Sequence, residues 1–312
     1  MTRITITKSS DKEYLYHNVT MAPHQLVIAS RLEDTGSDDD IVDPYLFDPS
    51  YTLAAATGKF DCQLLPNSED WATRNNLGFS VWEGAVTLLS FLHSSDTPEA
   101  IEFRRRVLEA REKVLELGSG TGVGGIGVAA LGGDVLMTDV ESVCDITRNN
   151  VRRNQQSGAN HGGSCSSRGS STVDSHNWSN TVSIGLGTAS VQTLDWSIPV
   201  SEQQKPHDPT SSSIIIAAEV AWLEELVPCF VQTLSDLLRP SPSQRAGTEK
   251  VCYWAYKERG TEASKIFTTM SHVMRIFHDL GCEVKEIWRE PSREDPGKHV
   301  IVNIVRFLEN SP

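Results

Sequence analysis

One short stretch brings together residue types that can do chemistry. In residues 114–125, VLELGSGTGVGG, a carboxylate, Glu116, sits just ahead of Gly118, Gly120 and Gly122, and a second apolar run further on closes with Asp139. Glycines at that spacing let a backbone touch a ligand or take positive φ cheaply, because no Cβ stands in the way. Gly120, Gly122 and Gly125 also satisfy the G-x-G-x-x-G pattern of dinucleotide loops, which alone is weak evidence.

Glu116 separates the two readings. A dinucleotide loop sets a pyrophosphate on a helix N-terminus, and a neighbouring carboxylate would repel it. An acid before the glycines suits a ligand with a cationic end instead, while an acid closing the second strand can accept both hydroxyls of a ribose. A ribose, no diphosphate and a positive group are together met by S-adenosylmethionine. Each acid also has a plainer reading: Glu116 as a cap on backbone N–H groups, and Asp139 as the cap of the helix that follows it.

These residues need a parallel sheet to hold them. Strand-like runs at 113–117, 134–138, 190–195, 213–219, 250–256, 282–288 and 299–308 alternate with helical patterns, the signature of a doubly wound α/β domain. The last two are joined by REPSREDPGK, too short for a parallel crossover, so the final strand is expected to be antiparallel. The expected fold is a Rossmann-like, seven-stranded, mostly parallel sheet between helices, spanning 77–312. Helical spacing extends this pattern over 81–92, 98–111, 223–238 and 262–281. Residues 1–76 read as an N-terminal extension with short β elements and an acidic loop at 32–44. A flexible Ser/Gly-rich insertion is expected at about 155–189.

Composition narrows the partners. A net charge of −13 disfavours nucleic acid, whose phosphates call for clustered Lys and Arg. No apolar run approaches a membrane span, and no secretory signal opens the sequence, so the expected location is the cytosol, with the nucleus open. The six cysteines are scattered without zinc-ligand spacing and read as reduced thiols, and no metal site is expected. The chain is expected to act as a monomer on a protein partner.

The ordered set VWEGAVTLLSFL, VLELGSGTGVGGIGVAALGGDVLMTD, NNVRRN, TLDW, IIAAEVAWLEELVPCFVQTL and AYKERG resembles the seven-β-strand methyltransferases of the lysine methyltransferase-like group, over roughly 77–308 apart from the insertion. The resemblance implies an S-adenosylmethionine-dependent enzyme that methylates a lysine of a protein substrate. It implies that Trp82 packs on the cofactor, that Gly118, Ser119 and Gly120 approach it with backbone, that Asp139 holds the ribose, that Trp196 flanks the adenine and that Ala218 lies against the methionine part. The chain departs from the family after the fourth strand, where Asp-x-x-Tyr is usual and Glu219-Val-Ala-Trp222 stands here.

For the transfer itself, Glu219 is expected to orient the incoming amine, with Trp222 and Tyr256 as walls of a dry channel. Tyr256 reads equally as core, the three tryptophans would read as core outside this context, and KERG (257–260) reads as a solvated turn, with Arg259 as the holder of a strand end or of a substrate backbone the alternative. A small-molecule N-methyltransferase and a non-catalytic scaffold remain the competing readings.

Overall fold

The computed structural model describes residues 3–8, 14–21, 24–31, 80–155, 181–203, 206–240, 249–259 and 267–308. The acidic loop, most of the Ser/Gly-rich insertion and the 260–266 segment lie outside the described residues. In the extension, β1 (Arg3–Lys8), β2 (Tyr14–Met21) and β3 (His24–Arg31) form an antiparallel meander. The short β elements expected in the extension are these strands, with RITIT in β1 and QLVIAS in β3. Leu26 and Ile28 of β3 are buried in the main core.

Two helices follow, α1 (Glu83–Ser94) and α2 (Pro98–Arg104), the latter continued by a π turn, Arg105–Glu109. The Thr97 hydroxyl caps α2 by accepting the Ala100 N–H, and Pro98 fills the first position, where no N–H is needed. Next come β4 (Lys113–Leu117), α3 (Val123–Leu131), β5 (Asp134–Asp139) and α4 (Glu141–Arg153). A hairpin of β6 (Val182–Ile184) and β7 (Gly187–Thr193) leads to β8 (Ile214–Ala218), α5 (Val227–Leu238), β9 (Val251–Lys257), α6 (Met270–Asp279), β10 (Cys282–Pro291) and β11 (His299–Phe307).

The main sheet runs in the order β10-β11-β9-β8-β4-β5-β7-β6. Pairing is parallel from β9 through β8, β4 and β5 to β7, whereas β11 is antiparallel to both β9 and β10. The reversed last strand is as expected, but it lies inside β10 instead of at the sheet edge. The described sheet has eight strands, not seven, because β6 adds an antiparallel edge. The insertion boundary also moves: 182–184 and 187–189, expected to be flexible, are strand. Gly187 makes the hairpin possible, since a Cβ there would lie 2.1 Å from the Gly133 carbonyl oxygen. Helix α6 is shorter than its apolar pattern, beginning at Met270 behind the Thr269 cap.

Burial follows the period of two. Ile214 and Ile216 of β8, with Tyr253 and Ala255 of β9, join the core under α1 and α3; Ile215, Ala217, Cys252, Trp254 and Tyr256 join the core under α5 and α6. Strands covered on both faces read as continuous apolar runs, which is why IIIAA and VCYWAYK carry so little polarity. No helix among the described residues is long and apolar enough to cross a membrane.

Candidate functional site

At the carboxyl ends of β4, β5 and β8, where parallel sheets bind ligands, a cleft encloses about 960 Å³, part of it open to solvent. The turn after β4 forms its floor. Gly118, Gly120 and Gly122 all take positive φ, at +66°, +51° and +84°. A Cβ on Gly118 would come within 2.6 Å of Val220, so this glycine is demanded by both conformation and space. Helix α4 pins the turn: the Thr147 hydroxyl donates to the Gly120 carbonyl at 2.6 Å and the Asn150 amide to the Thr121 carbonyl at 2.8 Å.

Both acids line the cleft. Asp139 accepts the Gly120 N–H on Oδ2 and the Val140 N–H on Oδ1, each at 2.8 Å, and burial pushes its carboxyl up to about 6 against those bonds. Glu116 faces α3, as its place in the β4 alternation requires. One oxygen accepts the Gly125 N–H at 2.9 Å; the other, Oε2, has no partner of hydrogen-bond geometry. Burial raises this carboxyl to about 8, against the pull of the Gly125 N–H and of the Ser119 hydroxyl, which stands near the charge but out of hydrogen-bond alignment. Glu116 is therefore a cap and a cleft residue at once, so its two readings are not exclusive.

The orphaned atoms fit a ligand of the expected kind. Glu116 Oε2, Ser119 Oγ and Trp196 Nε1 are buried and unpartnered in a cleft also walled by Trp82, Ala218 and Leu194. A cationic group would satisfy the acid, and each Asp139 oxygen keeps a further lone pair for a ribose hydroxyl. S-adenosylmethionine carries both groups.

Trp82, Glu116, Gly118, Ser119, Gly120, Asp139, Trp196, Ala218, Glu219 and Trp222 are thus brought together around one cleft, together with Ser80, Thr121, Val140 and Leu226, which sequence reasoning did not single out. Tyr256 does not join them. It is fully buried in the same core cluster as Trp222, its ring lies 5.2 Å from that of Trp254 and its hydroxyl donates to the Thr268 carbonyl at 3.2 Å; it is a core residue.

Glu219 also differs from expectation. Its backbone takes a positive φ of +57°, a conformation costly for a non-glycine residue. Its oxygens are engaged by the protein: Oε1 accepts the Gly84 N–H at 3.2 Å, and Oε2 accepts from Arg259 Nη1 at 2.5 Å. The carboxylate is anchored to the start of α1 and its charge is paired with a guanidinium within the protein itself. Arg259 lies over the rings of Trp82 and Trp222, at 5.2 and 5.0 Å. KERG reads as a solvated turn in the sequence, whereas Arg259 is buried there and holds the acid that ends the neighbouring strand.

A family model described as lysine methyltransferase matches residues 60–167 and 172–273. The mouse protein named EEF1A lysine methyltransferase 3 is 26% identical over 173 residues, 55% of this chain and 56% of that protein. The Danio rerio protein N-lysine methyltransferase METTL21A is 27% identical over 170 residues, 54% and 59% of the two chains. The match therefore spans little more than half the length of each relative. Among solved structures, the Synechocystis magnesium protoporphyrin IX methyltransferase with bound SAH matches at 12% identity and a TM-score of 0.44, covering 77% of this chain and 95% of that one.

Proposed function

The chain belongs to the lysine methyltransferase family, and from that premise we propose that it transfers the methyl group of S-adenosylmethionine to a lysine side chain of a protein. The observation that carries the cofactor half of this reading is the buried Glu116 carboxylate, half-partnered, beside the glycine turn and Asp139. The protein-lysine half rests on the family and on the relatives' names. The first relative is named for EEF1A, and EEF1A is the first acceptor to try.

The cofactor supplies a methyl group already activated by its sulfonium. The chain's own residues then have positional work to do. Asp139 would take the ribose hydroxyls while its backbone bonds hold it still, Glu116 would take the cationic amino-acid end, and Trp196 would cover the adenine. Trp82 and Trp222, with ring centroids 6.0 Å apart, would flank the approach of the acceptor and keep it dry. Orientation of this kind can supply about 7–11 kcal/mol of a barrier. A reducing compartment, cytosol or nucleus, and action as a monomer belong to the same proposal; the scattered cysteines support the first.

Calorimetric titration with S-adenosylmethionine and, in parallel, with NAD tests the reading. Binding of S-adenosylmethionine alone, abolished in Asp139→Ala, is expected. Binding of NAD, or of neither, would overturn it.

A further inference from the structure

The reaction proposed above needs its amine uncharged, yet the β8 side of the cleft carries a buried carboxylate. A naked carboxylate there would hold an incoming lysine as ammonium, which has no lone pair to attack with. The structure gives Glu219 a counter-ion from the end of the neighbouring strand. Arg259 Nη1 reaches Oε2 at 2.5 Å, with both side chains nearly excluded from solvent, at 6% and 1%. The guanidinium lies at 5.2 and 5.0 Å from the ring centroids of Trp82 and Trp222. Trp82, Trp222 and Glu219 all line the cleft, so the pair stands at the wall an acceptor must pass.

The charges around this pair are otherwise spoken for. On α1, Glu83 accepts Lys257 Nζ at 3.2 Å, the Ser292 hydroxyl at 2.6 Å and the Arg293 N–H at 2.5 Å. Glu294, from the turn between β10 and β11, meets the same Lys257 at 3.3 Å, and burial raises its carboxyl. Glu258 accepts the Met270 N–H at 2.8 Å, and the Tyr256 hydroxyl, raised by burial and near enough to feel the charges of Arg259 and Glu219, donates to the Thr268 carbonyl. Across the cleft, Glu116 and Asp139 belong to the cofactor side. Among the described residues, Glu219 makes its ion pair with Arg259.

We infer that Arg259 is a positioning residue for amine transfer: by neutralising Glu219 between the two indoles, it makes the acceptor wall reject the ammonium form and admit the neutral amine. The inference rests on the methyltransferase reading. It also gives the Glu219 departure a physical sense, since the longer acid reaches its counter-ion and still meets the Gly84 N–H.

The test uses n-butylamine, a lysine side chain without its backbone, and reads its binding by saturation-transfer NMR between pH 7 and 9.5 with S-adenosylhomocysteine bound. If only the neutral form binds, apparent affinity rises about tenfold per pH unit below the amine pKa of about 10.4. That slope is expected for the wild type and for Arg259→Lys, which keeps the cation. Arg259→Met should be flat with pH and bind more tightly below pH 9. Should Arg259→Met fail to fold, Arg259→Gln, which keeps a polar partner for Glu219 without the cation, must lose the slope as well, while the double variant Glu219→Gln/Arg259→Met, with no charge left to hold an ammonium, must keep it. A slope that persists in a variant lacking only the Arg259 cation, a slope lost in the double variant, a flat wild type, or no amine binding would overturn the role of Arg259. Failure of the wild type to bind S-adenosylhomocysteine would instead refute the underlying reading.

Discussion

Gly125 donates its N–H to Glu116 Oε1 at 2.9 Å, and a Cβ on that glycine would lie 2.6 Å from the acid's other oxygen. Gly124 stands in the same relation, with its Cβ position 2.4 Å from Oε1. The two glycines let the first turn of α3 settle onto a buried carboxylate. They give the doubled glycine a purpose that only Gly125 would have in a dinucleotide loop.

Gly125→Ala should therefore reverse the usual sign of such a change. In an ordinary helix interior alanine is better than glycine by about 0.5–1 kcal/mol. Here the methyl meets Glu116 and also Met137, 2.7 Å away, so a loss of about 1–3 kcal/mol is expected from overpacking. Denaturant unfolding would read it; a stabilised variant would contradict the geometry.

Glu116 predicts an opposition between stability and binding. Its folded carboxyl titrates near 8, above the ordinary value of 4.5, so the unfolded chain gives up that proton first. The empty protein then loses stability as pH rises from about 4.5 through 8, since the unfolded state binds fewer protons there. Glu116→Gln should remove this part of the slope and raise the melting temperature at pH 8, while weakening S-adenosylmethionine. Thermal melts at pH 5 and pH 8, with and without cofactor, decide the point; an unchanged difference between the two pH values would count against the buried, half-partnered acid.

Asp139 does two jobs, and a conservative variant should part them. Asp139→Asn keeps an acceptor for one backbone N–H but loses the charge, and hydrogen bonds to a charged group are worth about 1.5–3 kcal/mol. Cofactor affinity should fall roughly 10- to 100-fold by calorimetry, with the protein still folded by circular dichroism. Equal affinity would remove Asp139 from the ribose site.

Tyr256→Phe tests the reassignment of that residue to the core. The lost bond to the Thr268 carbonyl should cost about 1 kcal/mol of stability, with cofactor affinity and methyl transfer unchanged. A drop in transfer rate at full cofactor occupancy would return Tyr256 to the channel.

How far the sequence reaches depends on how local each signal is. Strands β4, β5, β8 and β9 were readable because strands covered on both faces are written as nearly continuous apolar runs, whereas β7, GTASVQT, was placed by the alternation with helices. The glycine turn and its two acids were readable because they lie on one short stretch and one strand end. Tyr256 was ambiguous because a strand buried on both faces has no polar side to reveal which way a residue points. The Glu219–Arg259 pair was hidden because the two residues meet across 40 positions and two strand ends. The β6–β7 hairpin was hidden because its glycines, needed for close approach to Ala129 and Gly133, resemble those of the Ser/Gly-rich stretch before it.

The central claim is methyl transfer from S-adenosylmethionine to lysine, and product analysis tests it most directly. The purified chain is incubated with methyl-labelled S-adenosylmethionine and cell lysate, the protein fraction is hydrolysed, and the labelled amino acid is identified. Label recovered as ε-N-methyllysine, and lost with Asp139→Ala, is the predicted result. Label in another residue or only in small molecules, or none above the lysate's own background while the cofactor binds, would contradict the account.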